Sequence, residues 1–398
     1  QFIGRGSLNS KLGSSSAMGV LVGRRFLNLI VAGCSPGVKS LRRINLAQLY
    51  YRDTHTPPPP PPPSSKTTEM ETLRLPPPSF TLRGLNNGWN LNCFPFADSK
   101  VICGDDQSGL GFIFDLDTRK VGTMPPLPNK LPTVKPVSVF AHKPHVDDDI
   151  FSYDNGSSLF LMERVPQLEP ISNEVRESKQ FVGFINHYPS GPWGKKCFTC
   201  RLLPPPPFVR ETWSWYNNTP EITAYGVVGG GSHVCISVHG VGTYCLDTAD
   251  HTWSQVGKWT LPFHGKAEYV PELKLWFGLS AAGAQQNLAA ADLSDVMDSQ
   301  PCQLVGGPWK ELDPPDEWKE CKDPQFVSLG SGRFCIARFF QEAAGSAGDQ
   351  VIHENVAVFT GLEVKVNSSG KGGTGKVELQ MTPHRSRRVN STSIEALF

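Results

Sequence analysis

One stretch, Ala224 to Phe263 (AYGVVGGGSHVCISVHGVGTYCLDTADHTWSQVGKWTLPF), limits what this chain can fold into more than any other. It holds a glycine triplet (Gly229, Gly230, Gly231), an apolar run, a His239-Gly240 turn, Tyr244-Cys245-Leu246-Asp247 and then Trp253. Short apolar runs cut by glycine-bearing turns read as strands joined by hairpins. The triplet offers backbone conformations that other residues reach only at a cost. The stretch therefore describes one four-stranded antiparallel unit. Such a unit cannot bury its own faces and needs copies of itself beside it.

The copies are present. Units close as METLRLPPP (70–78), KVGTMPPLP (120–128), KKCFTCRLLPPPP (195–207), WSQVGKWTLPF (253–263) and WKELDPP (309–315), and KVELQMT (376–382) ends the last. Proline cannot donate a ladder hydrogen bond, so each closing phrase marks an outermost strand running into a loop. Between them lie paired strands: VICG with GFIFDL, LFLMERV with FVGFI, VCISV with TYCLD, LWFGLS with LAAADL, and FCIARFF with VAVFTGLEV. The expectation is an all-β, single-domain β-propeller of about six four-stranded blades. The first blade contains FLNLIV, SLRRINLAQL and METLRL but lacks an innermost strand. The C-terminal stretch Ser391–Phe398 supplies it, so the two ends of the chain close the ring and remove an exposed sheet edge. Residues 1–23 read as a disordered leader and 24–398 as the propeller, with a proline-rich loop at 53–69 that contains Pro57–Pro63.

Composition agrees. Gly 38 and Pro 35 suit many short strands and many turns, and charged residues reach only 19%. A net charge of +1 offers no field to gather nucleic acid, so a nucleic-acid partner is not expected. No apolar run approaches the ~18 residues that span a bilayer, and no membrane is expected. Ten cysteines are scattered, several inside apolar runs (VICG, HVCIS, RFCIA) where a free thiol packs as a small hydrophobe. That pattern reads as a reducing compartment, cytoplasm or nucleus. Arg24-Arg25 before FLNLIVAGC, with no acidic residue before Asp53, leaves organelle targeting as the alternative.

RRFLNLIV, LLPPPPFVRE (202–211), the block from AYGVVGGGSHVCISV to KLWFGLS (224–280), WKELDPPDEWKEC, LGSGRFCIARFF and KVELQM resemble a family of uncharacterised kelch-like proteins expanded in cereals and other grasses. The resemblance runs from about residue 24 to the end. It implies a propeller in a plant protein and carries over no catalytic or ligand-binding residue.

Several motifs invite sharper readings and each has a plainer one. Ser369–Lys376 (SGKGGTGK) fits G-x-x-x-x-G-K, but Val377 follows and VELQM alternates as a strand, so no helix N-terminus faces a phosphate. Cys197-Phe-Thr-Cys200 lacks a second pair, and on a strand its thiols diverge. His142, His145 and Asp147, Asp148, Asp149 read as an acidic turn. Asp115, Asp117 and Asp247 sit where carboxylates cap turn amides. Trp253, Trp259, Trp276 and Trp309 are expected between blades. Arg385, Arg387 and Arg388 form a small basic patch.

No catalytic, cofactor-binding or metal site is therefore expected. The expected function is a monomeric, non-enzymatic scaffold or adaptor that binds a protein partner through loops. The contact candidates are the aromatic set Trp213, Trp215 and Tyr216 and the acidic set Asp147, Asp148 and Asp149. The alternatives are a substrate-recruiting ubiquitin-ligase component without an F-box, and a propeller enzyme or glycan binder.

Overall fold

A computed structural model describes residues 24–35, 37–51, 70–84, 90–105, 108–125, 136–142, 157–170, 176–187, 197–211, 219–283, 285–347, 350–367, 378–389 and 393–398. Among them the chain is all-β, with only single turns of 3-10 helix. The first sheet is ordered β24-β1-β2-β3, from β1 (Phe26–Ala32), β2 (Val38–Asn45), β3 (Phe80–Arg83) and β24 (Ile394–Leu397). The second is β4 (Leu91–Phe96), β5 (Lys100–Asp105), β6 (Gly111–Asp115) and β7 (Lys120–Thr123). The third is β8 (Val137–Ala141), β9 (Ser158–Met162), β10 (Ser178–His187) and β11 (Cys197–Leu203).

An eight-stranded sheet follows, made of two antiparallel runs of four. One is β12 (Ile222–Val228), β13 (His233–Val238), β14 (Gly242–Asp247) and β15 (Trp253–Gly257). The other is β16 (Phe263–Val270), β17 (Leu275–Ser280), β18 (Leu288–Ala291) and β19 (Leu304–Trp309). A short parallel pairing of Ala224–Gly226 with Gly265–Ala267 joins them. The last sheet is β20 (Lys319–Gly330), β21 (Arg333–Ala347), β22 (Gln350–Val366) and β23 (Leu379–Val389).

Strand parity explains the core. Successive side chains on a strand point to opposite faces, and most of these strands are apolar at both parities. On β13, Val234, Ile236 and Val238 pack against the third sheet, while Cys235 packs with Phe263 and Trp276 of the next run. Each apolar layer is thus shared between neighbouring sheets. Layers join the first and second sheets, the second and third, and so on to the last. A further layer joins the last sheet to the first through Leu27, Leu29, Leu329, Phe339 and Phe359. The buried Tyr50 hydroxyl strengthens that junction, donating to the carbonyls of Phe334 (2.6 Å) and Leu362 (3.2 Å).

The paired strands expected from the sequence all pair as expected. The C-terminal stretch joins β1 as expected, with Leu29, Ile30 and Val31 opposite Leu397, Ala396 and Ile394. Asn28 and Phe398 exchange two backbone bonds of 3.0 Å. FLNLIV is therefore a strand paired on both sides.

Four expectations need correction. METLRL is not the outer strand of the first sheet. It makes only an isolated bridge from Thr72 to Arg388 on β23, and Phe80–Arg83 takes the edge beside β2. Pro76–Pro78 follow METLRL at once and remove the donors a ladder would need. In the fifth unit the strand is Leu304–Trp309, so WKELDPP begins where that strand ends. The Asp117 carboxylate pairs with Arg43, and among the described residues it is Asp115 that accepts from the turn amides Asp117 N and Thr118 N. Finally, Cys235 and Cys245 are not free. They are register partners on β13 and β14 and are joined as a disulfide, whereas Cys103 and Cys335 are buried free thiols.

The glycine triplet makes a tight 3-10 turn with φ of 59°, 62° and 98° at Gly229, Gly230 and Gly231. Only glycine adopts three such values in a row without strain. Trp276 is buried, as expected of a tryptophan between sheets. Trp253 is half-buried, edge-on to Phe181 with its indole N–H donating to Pro204 O at 2.9 Å.

Candidate functional site

The first strands of the second to last units and β24 touch in the order β4, β8, β12, β16, β20, β24. Polar side chains from four units converge where these strands begin. Arg164 lies just beyond β9, Glu221 just before β12, His264 on β16 and Asp323 on β20. Arg164 is brought there by its own backbone, whose carbonyl accepts from Ile222 N (2.8 Å) at the start of β12.

The Arg164 guanidinium is the hub. Its Nε donates to Glu221 Oε1 at 2.9 Å, Nη1 to Asp323 Oδ2 at 3.3 Å, and Nη2 to His264 Nε2 at 3.2 Å. The Arg164 side chain is 19% exposed, against 45% for Glu221 and 52% for Asp323. The cation is thus shielded and its carboxylate partners face water. Burial, and then the neighbouring Arg164 charge, hold His264 below the usual imidazole range. A neutral ring with an unprotonated Nε2 is what Arg164 needs as an acceptor.

One step along the same strands, Tyr225 on β12 stands opposite Lys266 on β16. Lys266 pairs with Glu268, whose other oxygen accepts from Ser328 N on β20 at 2.7 Å. Burial works against the Lys266 ammonium, but the Glu268 carboxylate outweighs it and the pKa rises. Burial likewise pushes up the Tyr225 phenol. These groups stitch β12, β16 and β20 together. Among the described residues no group of three or more His, Cys, Asp or Glu is placed to hold a metal ion.

Trp213, Trp215, Tyr216, Asp147, Asp148, Asp149 and His145 lie outside the described residues, as do Ser369–Lys376 and the proline-rich loop 53–69. His142 is described and its Nδ1 lies 2.8 Å from Ser157 Oγ. Burial pushes the Cys200 thiol up to about 12, which makes it a poor nucleophile.

The basic patch is spent internally. Arg385 lies over the Tyr51 ring at 4.8 Å, Arg387 pairs with Glu71, and Arg388 pairs with Glu342. Arg385 and Arg387 border an open depression of 520 Å³ together with Gln48, Glu71 and Arg74.

Sequence reasoning passed over Arg164, Glu221, His264 and Asp323. Their hydrogen bonds link residues 57 to 159 positions apart, so no local spacing reveals them. The one available signal is that each is a polar residue at or near the beginning or end of a strand.

No helix among the described residues is long and apolar enough to cross a membrane. The chain belongs to the DUF1668 family, a family of proteins of unknown function, which it matches over residues 24–389. Compared with curated proteins, it matches none. Among solved structures it is similar to Kluyveromyces lactis Hsv2, at a TM-score of 0.35 and 8% identity over 90% of this chain and 99% of that one. It is similar also to apo AztD from Citrobacter koseri, at a TM-score of 0.32 and 10% identity over 92% of this chain and 98% of that one. Likenesses of this size add nothing to the architecture read from strand order.

Proposed function

We propose that the chain is a closed, six-bladed, kelch-like β-propeller of plant origin that works as a monomeric, non-enzymatic scaffold binding a protein partner. Counting the eight-stranded sheet as two blades gives six, and the apolar layer from the last sheet back to the first supports closure. Closure removes sheet edges and leaves the connecting loops as the surface free to bind.

The observation that carries the functional reading is how the converging charges are used. Arg164 spends all three of its nitrogens on Glu221, Asp323 and His264, and Lys266 is spent on Glu268. Those groups hold blades together and are not poised for chemistry. Binding then falls to the loops, with Trp213, Trp215 and Tyr216, and Asp147 to Asp149, as the contact candidates. We place the protein in the cytoplasm or nucleus. Of the cysteines whose state is described, seven are free, against the two joined.

The test is affinity purification from plant extract with mass spectrometry, comparing wild type with Trp213→Ala plus Trp215→Ala. The double variant keeps its fold by circular dichroism and loses the wild-type partners. Recovery of the same partners by a folded double variant overturns this contact surface. The convergence of Arg164, Glu221, His264 and Asp323 favours one second reading, a small polar ligand or glycan held at that end of the inner strands. A partner profile that survives the tryptophan changes and is displaced by free glycan points there.

A further inference from the structure

Cys93 on β4 and Cys103 on β5 stand directly opposite each other in an antiparallel register. Both lie on the face of the second sheet that packs against the first. Cys103 is buried and Cys93 is half-buried, so Cys93 is the more exposed residue of the two. The chain contains a second pair in the same relation. Cys235 and Cys245 are also opposed across adjacent antiparallel strands, ten residues apart in sequence, and they are bonded. Directly opposed residues hold their Cβ atoms about 4.5–5.5 Å apart, and a disulfide needs roughly 3.5–4.5 Å. A small local movement closes that gap.

We propose that Cys93 and Cys103 are a redox-active dithiol, closed to a cross-strand disulfide by exchange with a small-molecule disulfide of the glutathione type. Cys93 acts first because it is the less buried of the two residues. As a thiolate it attacks one sulfur of RSSR, the S–S bond breaks, and one RS⁻ leaves. Cys103 then loses its proton and attacks the Cys93 sulfur, which expels the second RS⁻. The two protons released by the protein thiols end on the two RS⁻. One disulfide is reduced to two thiols and the dithiol is oxidised. Burial holds the Cys103 thiol well above its usual range, which makes the second step the slow one. The closed form locks the hairpin Leu91–Asp105, the wall against which Phe398 packs.

The full chain, fully reduced and then freed of reductant, is equilibrated over a series of oxidised-to-reduced glutathione ratios. It is quenched in acid, alkylated with N-ethylmaleimide in denaturant, and cut with trypsin without reduction. Cleavage after Lys100 places Cys93 and Cys103 in separate peptides. The expected product is the two peptides joined, rising with the oxidised fraction and lost on adding dithiothreitol. Both peptides found as separate maleimide adducts, while Cys235–Cys245 is joined in the same sample, overturns the proposal. Cys103→Ser supplies the second readout. It removes the resolving thiol, so the glutathione adduct on Cys93 persists at least tenfold longer than in wild type. An adduct equally short-lived in both proteins, or none in either, also overturns it.

Discussion

Phe398→Ala tests how the C-terminal strand is held. Phe398 is 5% exposed, and its ring lies among Ile30, Leu91, Val101 and Phe114, between the first two sheets. Its N–H and C=O both bond Asn28 at 3.0 Å, so the backbone remains tethered when the ring is removed. Deleting a buried phenylalanine side chain costs about 3–5 kcal/mol. Cys93 and Ala396 at the margin of this layer are only partly buried, which lets neighbours settle into the gap. About 3 kcal/mol is therefore expected. Glu395→Ala, on the same strand, is the control. Glu395 is 38% exposed in its pair with Lys39, and a surface pair contributes under about 1 kcal/mol. Urea unfolding followed by tryptophan fluorescence measures both, with stability compared at equal m. A Phe398→Ala midpoint within about 0.5 kcal/mol of wild type, or no lower than that of Glu395→Ala, would refute the docked strand.

Two further outcomes follow from charges inside the fold. Arg338 on β21 is 5% exposed and bonds Glu311, Glu320, Gln286 O and Asn287, while the Glu311 side chain is 1% exposed. Arg338→Met strands a buried carboxylate and costs about 3–5 kcal/mol. Adding Glu311→Leu recovers most of that in the same urea assay, and a double variant no more stable than the single one contradicts the reasoning. His264 is held below its unfolded value of about 6.5. The unfolded chain therefore takes the proton first as pH falls. The contribution of the neutral ring is complete above about pH 6.5 and is lost below it. His264→Gln flattens the stability profile between about pH 7 and 5. An unchanged slope means that the ring does not titrate as described.

Much of the strand plan was legible because it rests on local chemistry. Alternating or continuous apolar runs marked Val101–Gly104, Val234–Val238, Leu275–Ser280 and Phe334–Phe340 as strands, and all four are. METLRL carried the same pattern and misled, because a strand also needs a neighbour with free donors and acceptors. Phe80–Arg83 occupied that edge instead. The polar hub was illegible for a related reason. Arg164 and Asp323 bond across 159 residues, and their meeting depends on how four units are turned towards one another.

The cysteines mark the boundary between the two kinds of information. Apolar neighbours on both sides show from sequence that Cys103, Cys235, Cys245 and Cys335 are interior residues, because burial follows from the company a side chain keeps along its strand. Which of them bond depends on register. A shift of one residue along β14 would turn Cys245 to the opposite face and part it from Cys235. Local sequence thus determined the strands, the turns and the buried faces of this protein. Only the tertiary structure decided the partners, since pairing is a property of two segments and their relative placement.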